Sequence, residues 1–358
     1  MTMGTPSAQA SSKAIIVTGS SGLLGSAVIQ RMAPRYRIHA LDLVEPDEEL
    51  PAGVQFHKID LTNDDSVHET VQRIVSREEG IASVVHLAAF YDFSGDDSPM
   101  YEKVTVEGTR RMLRALQGTN TEQFIFSSTM LVHAPTERGK PIDEESPLEA
   151  KWPYPQSKVQ TEHAARGEHE GIPLVILRIA GAYTDECDSI PIAHQIQRIY
   201  EDRVTAHVYP GDLNKGQAFI HLEDLTDAFE KTIERRSELG DEITLLIGEP
   251  ETYGYGRLQE EIGRLVHGDP EWTTRNVPRP VAKAGAKAQD EMPGVDDPFI
   301  KPWMVDLADD HYELDISRAR QVLDWQPQRR LIDVLPSMVK ALKEDPDGWY
   351  KRHDLKKE

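Results

Sequence analysis

The stretch Ala14-Ile15-Ile16-Val17-Thr18 runs without a break into Gly19-Ser20-Ser21-Gly22-Leu23-Leu24-Gly25, and no other part of the chain constrains the fold so tightly. The apolar run reads as a buried strand, and Leu23 to Met32 as the helix that follows it. Between them lie three glycines at G-x-x-G-x-x-G spacing. One lets the chain turn tightly, one lets backbone amides approach a pyrophosphate, and the third lets the helix pack against the strand. The helix then directs its positive end at the phosphates. Glycines also end strands for steric reasons alone; the strand before and the helix after are what make this a dinucleotide turn.

The same alternation continues. Arg37 to Leu41, Val54 to Ile59, Ser83 to Leu87, Gln123 to Ser127 and Leu174 to Arg178 read as further strands. Helical patterns lie between them, including Asp64 to Glu79 and Pro99 to Gln117. Strands alternating with helices imply an α/β fold, a Rossmann-type doubly wound parallel sheet. After about residue 180 the rhythm loosens: Glu242 to Ile247 reads as a strand and Tyr255 to Val266 as a helix. Asn276 to Trp303 is rich in Pro, Ala and Gly. The expected organisation is a tail over 1–12 and a cofactor domain over 13–180, with 217–247 returning to it. A smaller C-terminal substrate-binding lobe follows from 181–216 and 248–335, and 336–358 is expected to be peripheral.

Composition narrows the class. A chain of 358 residues exceeds what one core usually serves. Acidic residues number 61 against 40 basic ones, a net charge of -21, which repels a phosphate backbone and argues against nucleic acid as a partner. That surface promotes solubility, or reflects adaptation to high salt. No stretch approaches the roughly 20 apolar residues of a membrane helix, so no membrane partner is expected. Met1 to Ser12 lack the apolar core of a signal peptide, and the single cysteine, Cys187, allows no internal disulfide; both suit a cytoplasmic protein. No cluster of His, Cys and carboxylates has metal-ligand spacing, so no metal is expected.

Asp42 ends the second strand. A carboxylate there accepts both ribose hydroxyls of an adenosine and repels a 2′-phosphate, so NAD is the expected cofactor rather than NADP. Asp60, after the third strand, either hydrogen-bonds the adenine or starts a helix. Tyr154-Pro155-Gln156-Ser157-Lys158 supplies the chemistry. Pro155 suits the first position of a helix, and residues four apart share one face, so Tyr154 and Lys158 serve one site. A phenol with a pKa near ~10 is a poor base at neutral pH. A neighbouring ammonium and a positive nicotinamide lower that value, so that the phenol exchanges the substrate's hydroxyl proton while hydride moves. Ser127, Ser128 and Thr129 close the strand at the carboxyl end of the sheet, where a hydroxyl can hold the reacting oxygen.

Taken together, these residues resemble the extended short-chain dehydrogenase/reductases, the NAD-dependent epimerase/dehydratase family. The resemblance runs from Lys13 to about Val334. It includes the glycine turn, His86-Leu87-Ala88-Ala89, Phe126 to Thr129, Tyr154 to Lys158, Leu177-Arg178, Phe219 to Leu225 and Asp315 to Pro327. It implies Thr129, with Ser128 beside it, as the catalytic hydroxyl, Tyr154 as acid–base and Lys158 as its pKa-lowering, ribose-binding partner. It implies cofactor contacts from Gly19, Ser21, Gly22, Leu23, Leu24, Gly25, Asp42, Asp60, Leu61, Leu87, Ala88, Ala89, Ser127, Tyr154 and Lys158. It also implies a homodimer.

Departures from the family pattern narrow the chemistry. Met130 and Leu131 stand where 4,6-dehydratases carry an Asp-Glu pair, and neither moves protons. Gly181 stands where UDP-sugar epimerases place an Asn, and Gln217 where they place a diphosphate-clamping Arg, although Lys215 is a substitute. Thr105 replaces an Asn, and His133 a Tyr. Tyr91, Asp92, Phe93, His133, Trp152, Gly181 and Gln217 are the expected substrate contacts. The expected activity is hydride transfer at a secondary alcohol or ketone carbon of a sugar or sugar-nucleotide-like small molecule. The alternatives are a ketone reductase of the hydroxysteroid or flavonol type, which Asn276 to Asp290 resembles, and a non-catalytic NAD-binding sensor. Such sensors commonly lose the Tyr or the Lys, and both are present here.

Overall fold

A computed structural model describes residues 12–92, 94–268, 272–290 and 301–356. The expected tail, apart from its last residue, and Phe93 lie outside the described residues. The first half comprises β1 (Ala14–Thr18), α1 (Leu23–Met32), β2 (Arg37–Asp42), β3 (Val54–Lys58), α2 (Asp64–Val75), β4 (Ile81–His86), α3 (Glu107–Leu116), β5 (Phe124–Thr129), α4 (Pro153–Glu168) and β6 (Leu174–Ile179). There follow β7 (Gly181–Tyr183), α5 (Ile190–Tyr200), β8 (Val208–Tyr209), β9 (Phe219–His221), α6 (Leu222–Glu234) and β10 (Glu242–Ile247). The chain continues through α7 (Tyr255–His267), β11 (Arg275–Asn276), α8 (Arg279–Asp290), α9 (Pro302–Asp306), α10 (Ser317–Leu323), α11 (Leu331–Glu344) and α12 (Pro346–Arg352).

Seven strands form one parallel sheet in the order β10-β6-β5-β4-β1-β2-β3. Every residue of β1, β4, β5 and β6 is buried, as a strand covered on both faces requires. On one face, Val28 and Ile29 of α1 and Ala228 and Phe229 of α6 share a core with Ile15, Val17 and Ile125. On the other, Val71 of α2, Met112 of α3 and Ala165 of α4 pack with Ile16, Phe124 and Phe126. Strand order reverses between β1 and β4, which opens a crevice at their carboxyl ends, where such folds bind ligands.

Several boundaries differ from the sequence reading. The helix expected over Pro99 to Gln117 contains a π-helical segment, Tyr101–Val106, before α3. Such bulges insert one residue into the helix and commonly mark functional sites. The pairs β7–β9 and β8–β11 went unread, because strands of two or three residues carry no period. The end of the chain is not peripheral. In α11, Leu335, Met338 and Leu342 recur at helical spacing and are buried, and Trp349 and Tyr350 of α12 join the same core. Lys340, Lys343 and Glu344 of α11 are exposed.

Candidate active site

The glycine turn shows why two of its positions admit no side chain. Gly19 has φ +68°, and a Cβ there would meet the Ala88 nitrogen at 2.8 Å. A Cβ on Gly25 would come within 2.1 Å of the Gly19 carbonyl oxygen. Gly22 caps α1 with no side-chain hydrogen bond, so the first-turn amides of that helix keep open positions for a ligand. Asp42 lies beside this turn. Its carboxylate accepts from the amides of Ser21 (3.0 Å), Leu43 (2.7 Å) and Val44 (3.3 Å). A cradle without side chains at a helix start, next to a carboxylate at the end of β2, fits the pyrophosphate and ribose of NAD.

Asp60 does not cap α2; Asn63 does. Asp60 instead accepts from the backbone and hydroxyl of Thr62, which hold its carboxyl below its ordinary value. Leu61 is buried against Gly108 of α3.

The loop after β4 is held by a chain of hydrogen bonds whose directions are all fixed. Thr109 donates to the Thr105 carbonyl (2.7 Å), so it accepts from His86 Nε2 (2.9 Å). The other ring nitrogen of His86, Nδ1, therefore accepts from Thr18 (2.8 Å), whose oxygen accepts the Ala88 amide (3.3 Å). Thr105 extends this arrangement: its hydroxyl accepts the Phe90 amide at 2.9 Å. Burial, then the charge of Lys158, pushes His86 down to about 3.

Helix α4 begins at Pro153, two residues before the expected start, with Trp152 as its cap. Pro155 still falls within the first turn, where the amide it lacks has no intrahelical partner. Tyr154 and Lys158 face the carboxyl end of β5. The Lys158 ammonium donates to the Ser127 carbonyl at 2.7 Å and lies 5.8 Å from the Tyr154 ring centre. The Tyr154 ring meets Tyr91 edge-on at 4.7 Å and Trp152 at 5.4 Å. Burial raises the Tyr154 phenol above its ordinary value and pushes Lys158 down to about 7. Desolvation, not the Lys158 charge, thus dominates the phenol here, contrary to the lowering expected from sequence. Thr129 lines the same cavity, with its hydroxyl accepting the Leu131 amide at 3.3 Å.

Two expected roles need correction. Ser128 donates its only proton to Glu162 at 2.6 Å, so its hydroxyl is already engaged. His133 is fully buried and does not line the cavity. Its Nδ1 donates to the Ser146 carbonyl (3.1 Å) and its Nε2 accepts from Arg178 (3.0 Å), so it supports the fold and touches no substrate. Arg178 in turn grips Glu162 through Nε (3.0 Å) and Nη2 (2.7 Å). Burial, then the Arg178 charge, pushes His133 down to about 4.

His86 and His133 therefore stay neutral in the folded chain, which carries a pH consequence. Below the ordinary value near ~6.5, the unfolded chain binds two protons that the folded chain refuses, so stability is complete above that value and falls as pH drops. At about pH 5, roughly 1.5 units below that value, these two groups are expected to withdraw roughly 4 kcal/mol between them, at ~1.36 kcal/mol per unit each. Urea unfolding at about pH 7 and about pH 5 measures it; equal midpoints would refute it.

A cavity of about 650 Å³ opens between β5, α4, α5 and the residues around Trp303. Its walls are mainly apolar and aromatic, with Thr129 and Tyr154 among the lining groups. Of the expected substrate contacts, Tyr91, Trp152, Gly181 and Gln217 line it. Asp92 does not: both its oxygens are engaged by Ser94, at 2.8 and 3.0 Å. Lys215 lines it but is paired with Glu137 at 3.3 Å. Cys187 is buried outside it, and burial raises its thiol. Sequence reasoning missed Trp303, whose ring meets Trp152 at 5.1 Å, tilted by 32°, and which donates to the Ser94 carbonyl at 2.8 Å. Among the described residues no helix is long and apolar enough to cross a membrane.

Residues 15–248 match the family described as the NAD dependent epimerase/dehydratase family. A 3 beta-hydroxysteroid dehydrogenase type 7 from Mus musculus is 32% identical over 214 residues, 54% of this chain and 54% of that protein. The chain thus spans about half the length of that relative. A UDP-glucose 4-epimerase from Lactobacillus helveticus is 22% identical over 358 residues, 94% of this chain and 98% of its own. The crystal structure of a UDP-glucuronic acid 4-epimerase from Bacillus cereus, with UDP-glucuronic acid and NAD, shares the fold with a TM-score of 0.69. It is 21% identical, covering 92% of this chain and 99% of its own.

Proposed function

The chain belongs to the NAD-dependent epimerase/dehydratase family, and from that premise we propose that it is an enzyme that oxidises a secondary alcohol, or reduces the matching ketone, on a largely apolar small molecule. The observation that carries the substrate reading is the cavity wall. Tyr91, Trp152 and Trp303 line it together with Tyr154, and Gly181 and Gln217 stand where the family resemblance places the Asn and Arg of nucleotide-sugar epimerases. Lys215 is held by Glu137 and does not restore a diphosphate clamp.

In this reading the segments 13–180 and 217–247 hold the dinucleotide, while 181–216 and 248–335 contribute the rest of the substrate wall. Bound NAD supplies the hydride acceptor, or the donor when reduced. Tyr154 takes the alcohol proton as the carbonyl forms, and returns it in reduction. Thr129 hydrogen-bonds the reacting oxygen and holds it toward Tyr154. Lys158 lends the positive charge that favours the phenolate, and Ser127 fixes its ammonium through the backbone. The aromatic rings around Tyr154 exclude water from the exchange. Met130 and Leu131 follow Thr129 and carry no proton, so elimination of water is not expected.

A second reading, epimerisation of a nucleotide sugar, is favoured by the nearly full-length likeness to the Lactobacillus helveticus epimerase. One experiment separates the two. The pure protein is incubated with NAD and panels of cyclic alcohols, sugars and nucleotide sugars, following reduced cofactor and product stereochemistry. Net reduced cofactor with cyclic alcohols supports the first reading; inverted product without it supports the second. No reaction with any panel would defeat both. In active samples Asp42 is expected to make NADP worse than NAD by about tenfold or more in kcat/KM, since its charge repels the 2′-phosphate. Equal use of both cofactors would refute that role.

A further inference from the structure

Four charged side chains line the cavity: Asp188, Arg198, Lys215 and Asp310. Three have an opposite charge beside them. Asp188 pairs with Arg352, Lys215 with Glu137 and Asp310 with Lys151. Arg198 is the exception: among the described residues no carboxylate forms an ion pair with it. Its one hydrogen bond is from Nη2 to the Tyr255 hydroxyl at 3.3 Å, and its Nε has no acceptor. The residue is only 9% exposed. A guanidinium stays charged, and burying one without a counter-charge is costly.

A second group repeats the pattern. Gln195 lies three residues earlier on α5, on the same helix face. It is 6% exposed, lines the cavity, and its amide nitrogen has no acceptor. The Tyr255 hydroxyl accepts from both Arg198 and Gln259, which leaves its own proton to donate. Tyr255 also lines the cavity and is stacked on Tyr209 at 3.9 Å, which fixes its position. One stretch of wall thus offers donors and a positive charge, with acceptors missing. Buried polar groups are nearly always satisfied, and a ligand is what satisfies them in a binding cavity.

We propose that Arg198 and Gln195, with Tyr255, form an anion-binding subsite, so that the substrate carries a carboxylate, sulfate or phosphate besides its reacting alcohol. The identity of the reacting alcohol rests on the function proposed above; the subsite stands on the unpaired guanidinium. Together they describe an amphipathic substrate: an apolar body against the Trp152 and Trp303 wall, a carbinol at Tyr154 and a charged group at Arg198.

The test is calorimetric binding to the full chain loaded with NAD, using two matched pairs. Lithocholate and its methyl ester differ only in a carboxylate on an apolar ring system; UDP and uridine differ only in the diphosphate. In at least one pair the charged member is expected to bind about tenfold or more tighter. Which pair shows the preference identifies a carboxylate or a phosphate source. Arg198→Gln is expected to bring that ratio to about one, and Gln195→Leu, which keeps the charge, to reduce it by less. Equal binding within both pairs, binding of neither member, or a preference that survives Arg198→Gln would overturn the proposal. Should Arg198→Gln not fold, Gln195→Leu and the loss of the wild-type preference at high salt take its place. Turnover is read with the same protein on the panels given above. Charged-ligand preference with no turnover of any panel compound would defeat the oxidoreductase reading and leave the subsite standing, whereas turnover without preference would do the reverse.

Discussion

Replacing Tyr154 by Phe is expected to lower kcat by roughly a hundred- to ten-thousand-fold, the range over which a positioned acid–base group acts. The substitution isolates the oxygen. The ring that meets Tyr91 edge-on at 4.7 Å and Trp152 at 5.4 Å is retained, so packing, the water-excluding wall and the fold are preserved. What disappears is the only atom that exchanges a proton with the substrate in the proposed reaction. Steady-state rates of cofactor reduction, with thermal melting as the check on folding, measure the effect. A variant that keeps full kcat would remove Tyr154 from the chemistry.

The second large effect concerns the layer beneath that site. Glu162 and Arg178 are buried and joined by two hydrogen bonds, with Ser128 and His133 attached to the pair. Burial alone would raise the Glu162 carboxyl. The bonds and charge of Arg178, the Ser128 hydroxyl and Arg166 outweigh it, and the net shift is downward. A carboxyl lowered in the fold adds stability above its unfolded value near 4.5 and loses it as pH falls below that. Arg178→Met leaves Glu162 buried with its main partner removed, which is expected to cost about 3–5 kcal/mol. Adding Glu162→Gln should recover much of that loss, because the cost comes from the stranded charge. Urea midpoints of the two variants test this. An Arg178→Met protein as stable as the parent, or a double variant no better than the single, would refute it.

The parts of this molecule that were readable from sequence are those whose chemistry is local. The glycine turn and the Tyr154–Lys158 pair each lie within a few residues, so spacing alone reports their geometry. Buried strands such as β1 and β6 announce themselves by unbroken apolar runs. Misreadings came from partners far along the chain. His133 was an expected substrate contact, with a satisfied loop histidine the equal alternative; Arg178, 45 residues away, decides for the latter. Trp303 carried no local signal because its anchor, the Ser94 carbonyl, lies 209 residues earlier. The segment after Leu342 was discounted because its charged residues outnumber its apolar ones, although Trp349 and Tyr350 are buried with α11 in one core. Arg198 was passed over for the opposite reason: its significance lies in a partner it lacks, which a sequence does not record.

The bonds that run from Ala88 through Thr18, His86 and Thr109 to Thr105, and the one that Phe90 makes back to Thr105, have a mechanical meaning. Thr18 ends the strand that feeds the dinucleotide turn, and Phe90 immediately precedes Tyr91 at the cavity mouth. Each hydroxyl and ring nitrogen along that line has one assigned direction, so none can swing without releasing its neighbour. The glycine turn and the rim of the cavity are therefore one rigid fixture, and under the proposed function the ordering cost of aligning cofactor and substrate is met when the protein folds rather than when they arrive.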